Sequence, residues 1–442
     1  MMLRWTGRRA FSIKSSGYSA IGSFHTPSID DIFQLDEIHL PVTANLPSEP
    51  SLFGNEMRKH FFLDPSWTFI NHGAFGASLR VGMDVAQQWR EYGELQPLKF
   101  YDRELFFYMV DAIQELAHVL HATPKDVVLL PNATAGLNAV IQSIALTMQP
   151  GESIYSLDVA YGAVKKLINH VCQERKLVHE SHRLTYSDSH NDDLILSQIE
   201  KTLPKEKCRL VVIDHITSNT ATLLPVERIV QLCHSRGIPV LVDGAHGLLN
   251  LPLDLSKLQA DYYVGNCHKW LGSPKGAAFL HVQPQHQKRI RPQIQSHGMN
   301  DGFQSSFMWT GLQDYSSLLS LPACLSFWAK HDFNAVRKYI HSTVDTAAIL
   351  LEDNWKTSEG YDVPAHKKSS MRLVALPAKV FKTSFPATSN DAKLVQDALH
   401  FNHQIEVPVK CIEGRLYVRI SCHVYNTMED YEKLNFVIKS QM

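Results

Sequence analysis

Cysteine is sparse and scattered in this sequence. The 442-residue chain has seven cysteines, none of them in a CxxC pair or a dense cluster. An odd number of isolated cysteines in a long chain indicates free thiols in a reducing compartment rather than a disulfide scaffold. The chain also has 23 histidines, but it lacks an HExxH motif and Cys/His ligand spacing, so the sequence predicts no metal site.

Long hydrophobic runs and an excess of charge of one sign are also missing. No stretch approaches the roughly 20 unbroken apolar residues that a membrane helix needs. The 43 lysines and arginines nearly balance the 44 acidic residues. A balanced surface creates no strong overall field, so neither nucleic acid nor a membrane is expected as a partner. With 44% hydrophobic residues, the chain can build a large core.

Acidic residues are absent from the beginning of the chain, where the first acid is Asp30. Residues 1–27 contain serines and the basic residues Arg4, Arg8, Arg9 and Lys14. A basic, serine-containing segment without acids is typical of a mitochondrial transit peptide. We therefore predict a mitochondrial protein with a leader at residues 1–27. The alternative is a disordered basic tail on a cytoplasmic protein.

Apolar runs alternate with helical patterns through the middle of the chain. Continuous apolar strands that alternate with helices predict a mainly parallel sheet covered on both faces. Helices are expected at 162–174 and 226–236. Strands are expected at 126–130, 153–156, 210–213, 239–242, 262–264 and 277–282.

The pattern changes after about residue 325. Apolar residues at helical spacing from Phe333 to Leu351 predict a long helix. A strand at 371–375, a helix near 391–400 and paired strands at 405–411 and 416–421 are expected to follow. Thr427 and Asp430 form a capping-box pattern before a last helix. We therefore divide the chain into a leader (1–27), an N-terminal arm (28–75), a large α/β domain (76–325) and a small C-terminal α+β domain (326–442).

Chemically useful side chains follow four of the predicted strands. In open α/β sheets, ligands bind beyond the carboxyl ends of the strands, so these segments are expected to converge on one crevice. Together they supply a helix N-terminus, hydroxyl and amide groups, a carboxylate, two imidazoles and one amine. The four segments are residues 132–134, 215–219, 243–246 and 265–269.

This set of groups suits pyridoxal 5′-phosphate (PLP). Its phosphate needs a helix N-terminus with free N–H groups and a hydroxyl, which Ala133 and Thr134 can offer. Its ring nitrogen must stay protonated for the ring to withdraw electrons, and a buried carboxylate such as Asp243 favours that state. Its aldehyde needs a lysine amine of lowered pKa, which desolvation at a strand end can supply at Lys269.

The segment around Lys269 resembles a known family signature. Residues 261–280, with His268-Lys269 and a Gly-x-small tail, are similar to the signature of the class V aminotransferases, and Asp243-Gly-Ala-His246 lies upstream as in that family. The resemblance extends from about residue 71 to residue 426. Residues 71–76, 132–134 and 419–426 are most similar to the isopenicillin N epimerase-like branch, which also contains cysteine desulfhydrases and ergothioneine-pathway C–S lyases. It implies an α/β fold, the PLP-dependent transferase fold type I, with a mainly parallel seven-stranded sheet.

The resemblance also implies roles around the cofactor ring. Lys269 would form the Schiff base and move the Cα proton of the substrate. Asp243 would pair with the pyridinium nitrogen, and Tyr161 would stack on the ring. His246 would lie near the phenolic oxygen. Ser218 or the neighbouring Asn219 would also contact the phenolic oxygen.

Further roles concern the phosphate and the substrate. Ala133, Thr134 and His268 would bind the phosphate, and Thr310 would reach it from a partner subunit. The family usually has Gly-Thr-x-Asp near Thr310, whereas this chain has Gly311-Leu-Gln-Asp, which weakens that assignment. Arg419 would bind the substrate carboxylate through a bidentate pair. The substrate side chain would meet loops near 71–75, 100–103 and 291–302, the first of which contains Asn71, His72 and Gly73.

Strand alternation supports the role of Arg419 without the family. Leu416, Val418 and Ile420 share one face of the predicted strand 416–421, and Arg419 lies on the other face. It is therefore free to point towards a polar site.

The cysteines argue against one reaction. Desulfurases need a nucleophilic thiol in a mobile loop well before the carboxylate-binding arginine. Cys411 lies close to Arg419 and shares a predicted strand face with apolar residues, so we interpret it as a core residue. Cys267 is interpreted as a packed small residue. Transfer of sulfur through a cysteine persulfide is therefore disfavoured.

The expected function is β-elimination on a small L-amino acid by a homodimeric PLP enzyme, as in a cysteine desulfhydrase. Epimerisation and transamination share the first steps and remain alternatives. A pseudoenzyme that keeps the fold as a scaffold is the non-enzymatic alternative, and the intact Lys269, Asp243 and Arg419 argue against it.

Overall fold

The computed structural model describes residues 24–358, 367–378 and 380–442. Most of the predicted leader, residues 1–23, therefore lies outside the described residues. The first described residue, Phe24, packs its ring against Phe106 at 5.1 Å and Trp309 at 4.9 Å between centroids. No helix among the described residues is long and apolar enough to cross a membrane.

Seven of the strands form one mainly parallel sheet, as predicted. Their order is β2-β8-β7-β6-β5-β3-β4, and only β8 runs antiparallel to its neighbours. The strands of the described residues are β1 (Thr68–Phe69), β2 (Val127–Leu130), β3 (Ser153–Leu157), β4 (Val178–His182), β5 (Cys208–Asp214), β6 (Val240–Asp243), β7 (Tyr262–Asn266), β8 (Ala278–Val282), β9 (Met371–Ala375), β10 (Ile405–Glu406), β11 (Val409–Ile412) and β12 (Arg415–Ser421).

Helices cover both faces of this sheet because alternate strand residues are apolar on both sides. Val211 and Ile213 of β5 join the main core, whereas Leu210 and Val212 join a second core under two helices, Ala133–Ala145 and Gly162–Arg175. The α-helices are α1 (Ile29–Ile32), α2 (His72–Phe75), α3 (Arg80–Leu95), α4 (Pro97–Lys99), α5 (Leu105–Leu120), α6 (Ala133–Ala145), α7 (Gly162–Arg175), α8 (Asp192–Thr202), α9 (Val226–His234), α10 (Leu255–Leu258), α11 (Phe303–Met308), α12 (Ser316–Leu319), α13 (Leu321–His331), α14 (Phe333–Trp355), α15 (Ser389–His403) and α16 (Met428–Ser440).

The six strands predicted for this sheet are confirmed to within two residues at each end. The seventh, β4, was missed because it is an edge strand in which no residue is fully buried. Its sequence, Val-His-Glu-Ser-His, lacks the apolar run that marked the other strands. The strand predicted at 405–411 was wrong in its extent. It divides at Val407-Pro408, where proline offers no N–H: β10 pairs with β1, and β11 pairs with β12.

The C-terminal part forms a three-stranded antiparallel sheet in the order β11-β12-β9. Helix α14 packs on this sheet, and the predicted apolar stripe along it is buried. The capping box predicted at Thr427 and Asp430 is present at the start of α16. The side of β12 that carries Arg419 faces the large sheet, which brings the arginine to the ends of β5–β7.

Candidate active site

Lys269 lies three residues beyond the end of β7, in a site enclosed by both parts of the chain. Burial lowers the pKa of its amine to about 8, and the nearby Arg419 guanidinium acts in the same direction. The Asp243 and Asp214 carboxyls oppose this shift. A larger share of this amine than of an ordinary lysine is therefore uncharged near neutral pH, and the uncharged form is the one that attacks an aldehyde.

His246 connects Lys269 to the core. Its Nε2 lies 3.3 Å from the Lys269 Nζ, and the Trp270 Nε1–H donates to its Nδ1 across 3.3 Å. Burial holds the pKa of His246 well below its usual value, so the ring is neutral and carries one proton. Because Nδ1 accepts, that proton is assigned to Nε2, which can donate to the lone pair of Lys269. The arrangement favours the neutral lysine.

Asp243 is half of a carboxyl pair. It ends β6 directly beside Asp214, the last residue of β5, and both side chains are buried. Burial raises the pKa of both groups, and that of Asp214 is held well above its usual range because the Asp243 charge adds to the effect. Asp243 accepts the Ala245 N–H at 3.0 Å. Two adjacent carboxylates repel each other, so we assign the negative charge to Asp243 and the proton to Asp214.

A close fit fixes the turn after Asp243. The Tyr263 ring lies against the backbone, and a Cβ on Gly244 would come within 2.3 Å of several of its atoms. The Tyr263 hydroxyl also meets the Nδ1 of His215 at 3.0 Å. The Asp243-Gly-Ala-His246 pattern therefore includes a glycine because a tyrosine of the next strand occupies the space of its side chain.

The predicted phosphate turn opens α6. Asn132 caps the helix by accepting the Ala135 N–H at 2.9 Å, and Ala133 donates its N–H to the Asn266 side chain at 2.9 Å. Within the part of the chain that the structure describes, the Thr134 N–H has no acceptor. Thr134 is thus the available donor at this helix start, whereas the Ala133 N–H is already used.

His268 lies beside this region, but its ring is oriented by the backbone. Its Nδ1 donates to the Ala277 carbonyl at 3.0 Å, and burial lowers its pKa to about 4. The ring is therefore neutral, and its free Nε2 carries a lone pair. A contact with a phosphate oxygen would require His268 to take up a proton, which the charge of the phosphate would favour.

Arg419 is buried and has neutral partners. Its Nη1 donates to the Ser218 carbonyl, and its Nη2 donates to the Asn71 side chain at 3.2 Å. Its Nε is buried without a hydrogen-bond partner among the described atoms. Asn71 is itself held by the Glu406 carboxylate at 3.0 Å. A guanidinium enclosed without a carboxylate is suited to an incoming carboxylate.

The N-terminal arm closes over the lysine. His72 contacts the Lys269 carbonyl through Nε2 at 3.0 Å and the Tyr425 hydroxyl through Nδ1 at 2.7 Å. Gly76 has φ +70°, and a Cβ there would lie 2.3 Å from the His268 carbonyl oxygen. Gly73 packs against Met371 and Trp270 in the same way. His72 thus supports the Lys269 backbone and Asn71 contacts Arg419, while the contacts of Asn71, His72 and Gly73 with the substrate stay a prediction.

The remaining predicted site residues lie at different distances from Lys269 and Arg419. Ser218 meets Arg419 through its carbonyl rather than its hydroxyl, and Asn219 is exposed in a cleft that residues of β11 and α15 also line. Tyr161 immediately precedes α7 and is 47% exposed, and its backbone N–H bonds to the Asp214 carboxyl. Thr310 follows Trp309, whose ring stacks on Tyr315, and it has no described contact with Lys269 or Thr134.

Three residues of the site were missed in the sequence. Asp214 could have been found, because it ends a predicted apolar strand in the same way as Asp243. Asn266 also ends a strand, but its partner Ala133 is distant in the chain. Trp270 could not have been found from the sequence, because a tryptophan next to a lysine usually serves only to pack the core. Its hydrogen bond to His246 depends on the tertiary fold.

The cluster fits PLP. A buried carboxylate at Asp243 matches a ring N–H, an unpaired N–H at Thr134 matches a phosphate oxygen, and an amine of lowered pKa at Lys269 matches an aldehyde. Lys269, Asp243 and Thr134 would hold the cofactor, and His246 lies within reach of the same amine. PLP bound here would supply an electron-withdrawing ring for reactions at the Cα of an amino acid.

Comparisons with known proteins identify the family of the chain. The family model of the class V aminotransferases matches residues 101–434. The L-cysteine desulfhydrase of Arabidopsis thaliana is 28% identical over 399 residues, which covers 84% of this chain and 86% of the relative. The isopenicillin N epimerase of Streptomyces clavuligerus is 28% identical over 397 residues, covering 86% and 96% of the two chains.

Solved structures share the fold. A C-DES variant with glycine covalently linked to its PLP cofactor superposes with a TM-score of 0.73 at 17% identity, covering 87% of this chain and 99% of that one. The likeness confirms the predicted fold type I architecture. Because the family model spans most of the chain and the site fits the cofactor, this protein belongs to the class V aminotransferases and is a PLP-dependent enzyme.

Proposed function

We propose that the protein is a C–S lyase that acts on L-cysteine or an S-substituted L-cysteine. With L-cysteine and one water molecule, the products are pyruvate, ammonia and hydrogen sulfide. The observation that carries this proposal is the pairing of one amine of lowered pKa, Lys269, with one buried arginine, Arg419, that has no carboxylate partner among the described residues. The similarity to L-cysteine desulfhydrases supports the same choice.

The residues divide the work. Arg419 binds the substrate carboxylate, and Asn71 and the Ser218 carbonyl hold its guanidinium in place. Lys269 takes the Cα proton, and His246 orients its lone pair. Loss of that proton is coupled to rupture of the Cβ–S bond, so the sulfur leaves with the bonding electron pair and is released as a thiol.

The cysteines favour direct release of the sulfur. Cys267 lies next to His268 but is fully buried, and burial raises the pKa of its thiol far above neutral pH. A persulfide carrier needs an accessible thiolate near the substrate sulfur, and Cys267 does not offer one. Cys411, predicted to be a core residue, is only partly buried on β11 and lines the cleft that Asn219 and Lys410 also line. Its thiol donates to the Ala387 carbonyl at 3.2 Å, so it is held as a hydrogen-bonded thiol on a strand rather than in a loop.

The test is product formation by the purified holoenzyme. We expect pyruvate from L-cysteine and from S-methyl-L-cysteine, measured by reduction with lactate dehydrogenase. Absence of pyruvate from both substrates would reject the lyase. Entry of solvent deuterium at Cα without pyruvate would replace it with an epimerase. Transfer of the amino group to a keto acid would replace it with an aminotransferase.

We also propose that the enzyme is a homodimer. Leu95, Leu98 and Leu312 are exposed apolar side chains, and the Arg90–Asp314 ion pair at 2.8 Å joins the two segments that carry them. A second copy seated on this surface would cover them. Light scattering after gel filtration should give twice the chain mass, and Leu312→Glu should shift the population towards monomer. A wild-type monomer would contradict the proposal.

A further inference from the structure

Lys410 is a partly buried lysine close to Arg419. It lies on β11 opposite Tyr417 of β12, so its side chain shares a face with Tyr417 and with Arg419, the next residue on that face. Diagonal neighbours of this kind are about 7–8 Å apart. Burial lowers the pKa of the Lys410 amine, and the Arg419 charge adds to the effect. Among the described residues, none forms a hydrogen bond or ion pair with Lys410.

The Lys410 side chain lines a cleft between the small and the large domain. Tyr186 of the large domain packs edge-on against Tyr417 at 5.4 Å and joins the two domains beside the cleft. Asn219 lines the same cleft, next to Ser218, whose carbonyl contacts Arg419. The cleft therefore adjoins the position where the substrate carboxylate would bind.

Other charged groups of the cleft are either engaged or exposed. Arg183 pairs with Glu413 at 3.5 Å, and Asp158 accepts the Leu184 N–H at 2.9 Å. Lys393 and Asp397, one turn apart on α15, both face solvent. Lys410 is thus the partly buried cation of this cleft that lacks an anion within the described structure.

Keeping two unpaired cations on one face is unfavourable unless an anion joins them. We propose that Lys410, with the Asn219 amide, binds a second anionic group of the substrate, carried on the sulfur substituent. The substrate class is then an S-substituted L-cysteine whose substituent ends in a carboxylate. This inference rests on the proposed lyase function and specifies its substrate.

The test uses two substrates that differ in charge but hardly in shape: S-(2-carboxyethyl)-L-cysteine and its amide, S-(2-carbamoylethyl)-L-cysteine. For the wild-type holoenzyme, we expect kcat/KM to be about tenfold higher for the acid, as for one charge-assisted hydrogen bond. Lys410→Met should remove this preference, and Lys410→Arg should keep most of it. Lys393→Met, which removes an exposed lysine of the same cleft, should leave the preference intact.

The acid-to-amide ratio is measured within each variant, so a smaller active fraction does not change it. Equal kcat/KM values in the wild type, or a preference that survives in Lys410→Met, would overturn the inference while the lyase function stands. If no compound yields pyruvate, the lyase function fails, and titration of the cofactor absorbance decides the anion site. Tighter binding of the acid that is lost in Lys410→Met would support that site, and equal binding would reject it.

Discussion

The lysine end and the arginine end of the site treat their cations in opposite ways. Lys269 lies near two carboxyls, Asp243 and Asp214, and burial lowers the pKa of its amine to about 8. Arg419 is just as enclosed, but it contacts only a carbonyl and an amide oxygen. At the lysine end, the amine already has carboxyls nearby before the substrate binds. The arginine end keeps an unsatisfied positive charge, which a substrate carboxylate would neutralise.

This difference matches what each end must bind. A cofactor that stays on the enzyme can be held by groups with settled charges, such as an ionised Asp243 beside a protonated Asp214. A substrate that enters and leaves gains affinity only from charges that the protein leaves unpaired. The variants below test whether the two ends are as distinct as their partners indicate.

The largest effect is expected at the lysine. Lys269→Ala should lower the rate of pyruvate formation by about 10²–10⁴-fold, because the base that removes the Cα proton is lost. Borohydride reduction and peptide mapping should find a phosphopyridoxyl adduct on Lys269 of the wild type and no adduct there in the variant. Lys257→Ala, at an exposed lysine, serves as the control. A wild-type adduct on another lysine would refute the assignment.

The next effect separates the two carboxyls. Asp243→Asn should lower kcat by about 10²–10³-fold, because the charge that stabilises the protonated ring nitrogen disappears. Asp214→Asn should lower kcat only a few fold, because the amide resembles the protonated acid and its oxygen can still accept the Tyr161 N–H. Steady-state kinetics of both variants decide the point. Equal losses would show that the charge is not confined to Asp243.

At the arginine end the effect should appear in KM. Arg419→Met should raise KM for L-cysteine on the order of 10²-fold, because the substrate carboxylate loses a buried cation, while kcat changes less. Arg415→Met provides a control on the same strand. A variant that keeps its KM and loses only kcat would mean that Arg419 does not bind the carboxylate.

The smallest effect is a shift in pH dependence that connects the two ends. The rate of PLP incorporation into the apoenzyme should rise with pH and level off above about pH 8, because the neutral Lys269 amine reacts and its pKa is lowered to about 8. Arg419→Met removes a charge that lowers this pKa, so its plateau should begin at higher pH. Absorbance of the bound cofactor follows the rate. If the plateau begins at the same pH in the variant, the Arg419 charge does not affect the pKa of Lys269, and the prediction is wrong.

The lysine end was more predictable from sequence than the arginine end. Asp243, His246 and Lys269 all follow apolar strands, so local patterns located them. The direction of Arg419 followed from strand alternation, but its contact with Asn71 joins residues far apart in the chain and depends on the tertiary fold. Two features of the fold were not predicted, each for a local reason. Edge strand β4 is polar, so it lacks the apolar run that marks a strand. The strand predicted at 405–411 divides at Pro408, which has no N–H to donate.

The N-terminal arm has a consequence for the order in which the protein assembles. His72 and the Lys269 carbonyl it contacts are 197 residues apart in the chain. Closing so long a loop costs entropy that only the finished sheet can repay. During synthesis, the arm leaves the ribosome long before β7 is made. Until then, His72 cannot form its contact with the Lys269 carbonyl. Cofactor retention should therefore report on the last step of folding, and a proteolytic cut near Gly76 should release PLP before the sheet unfolds.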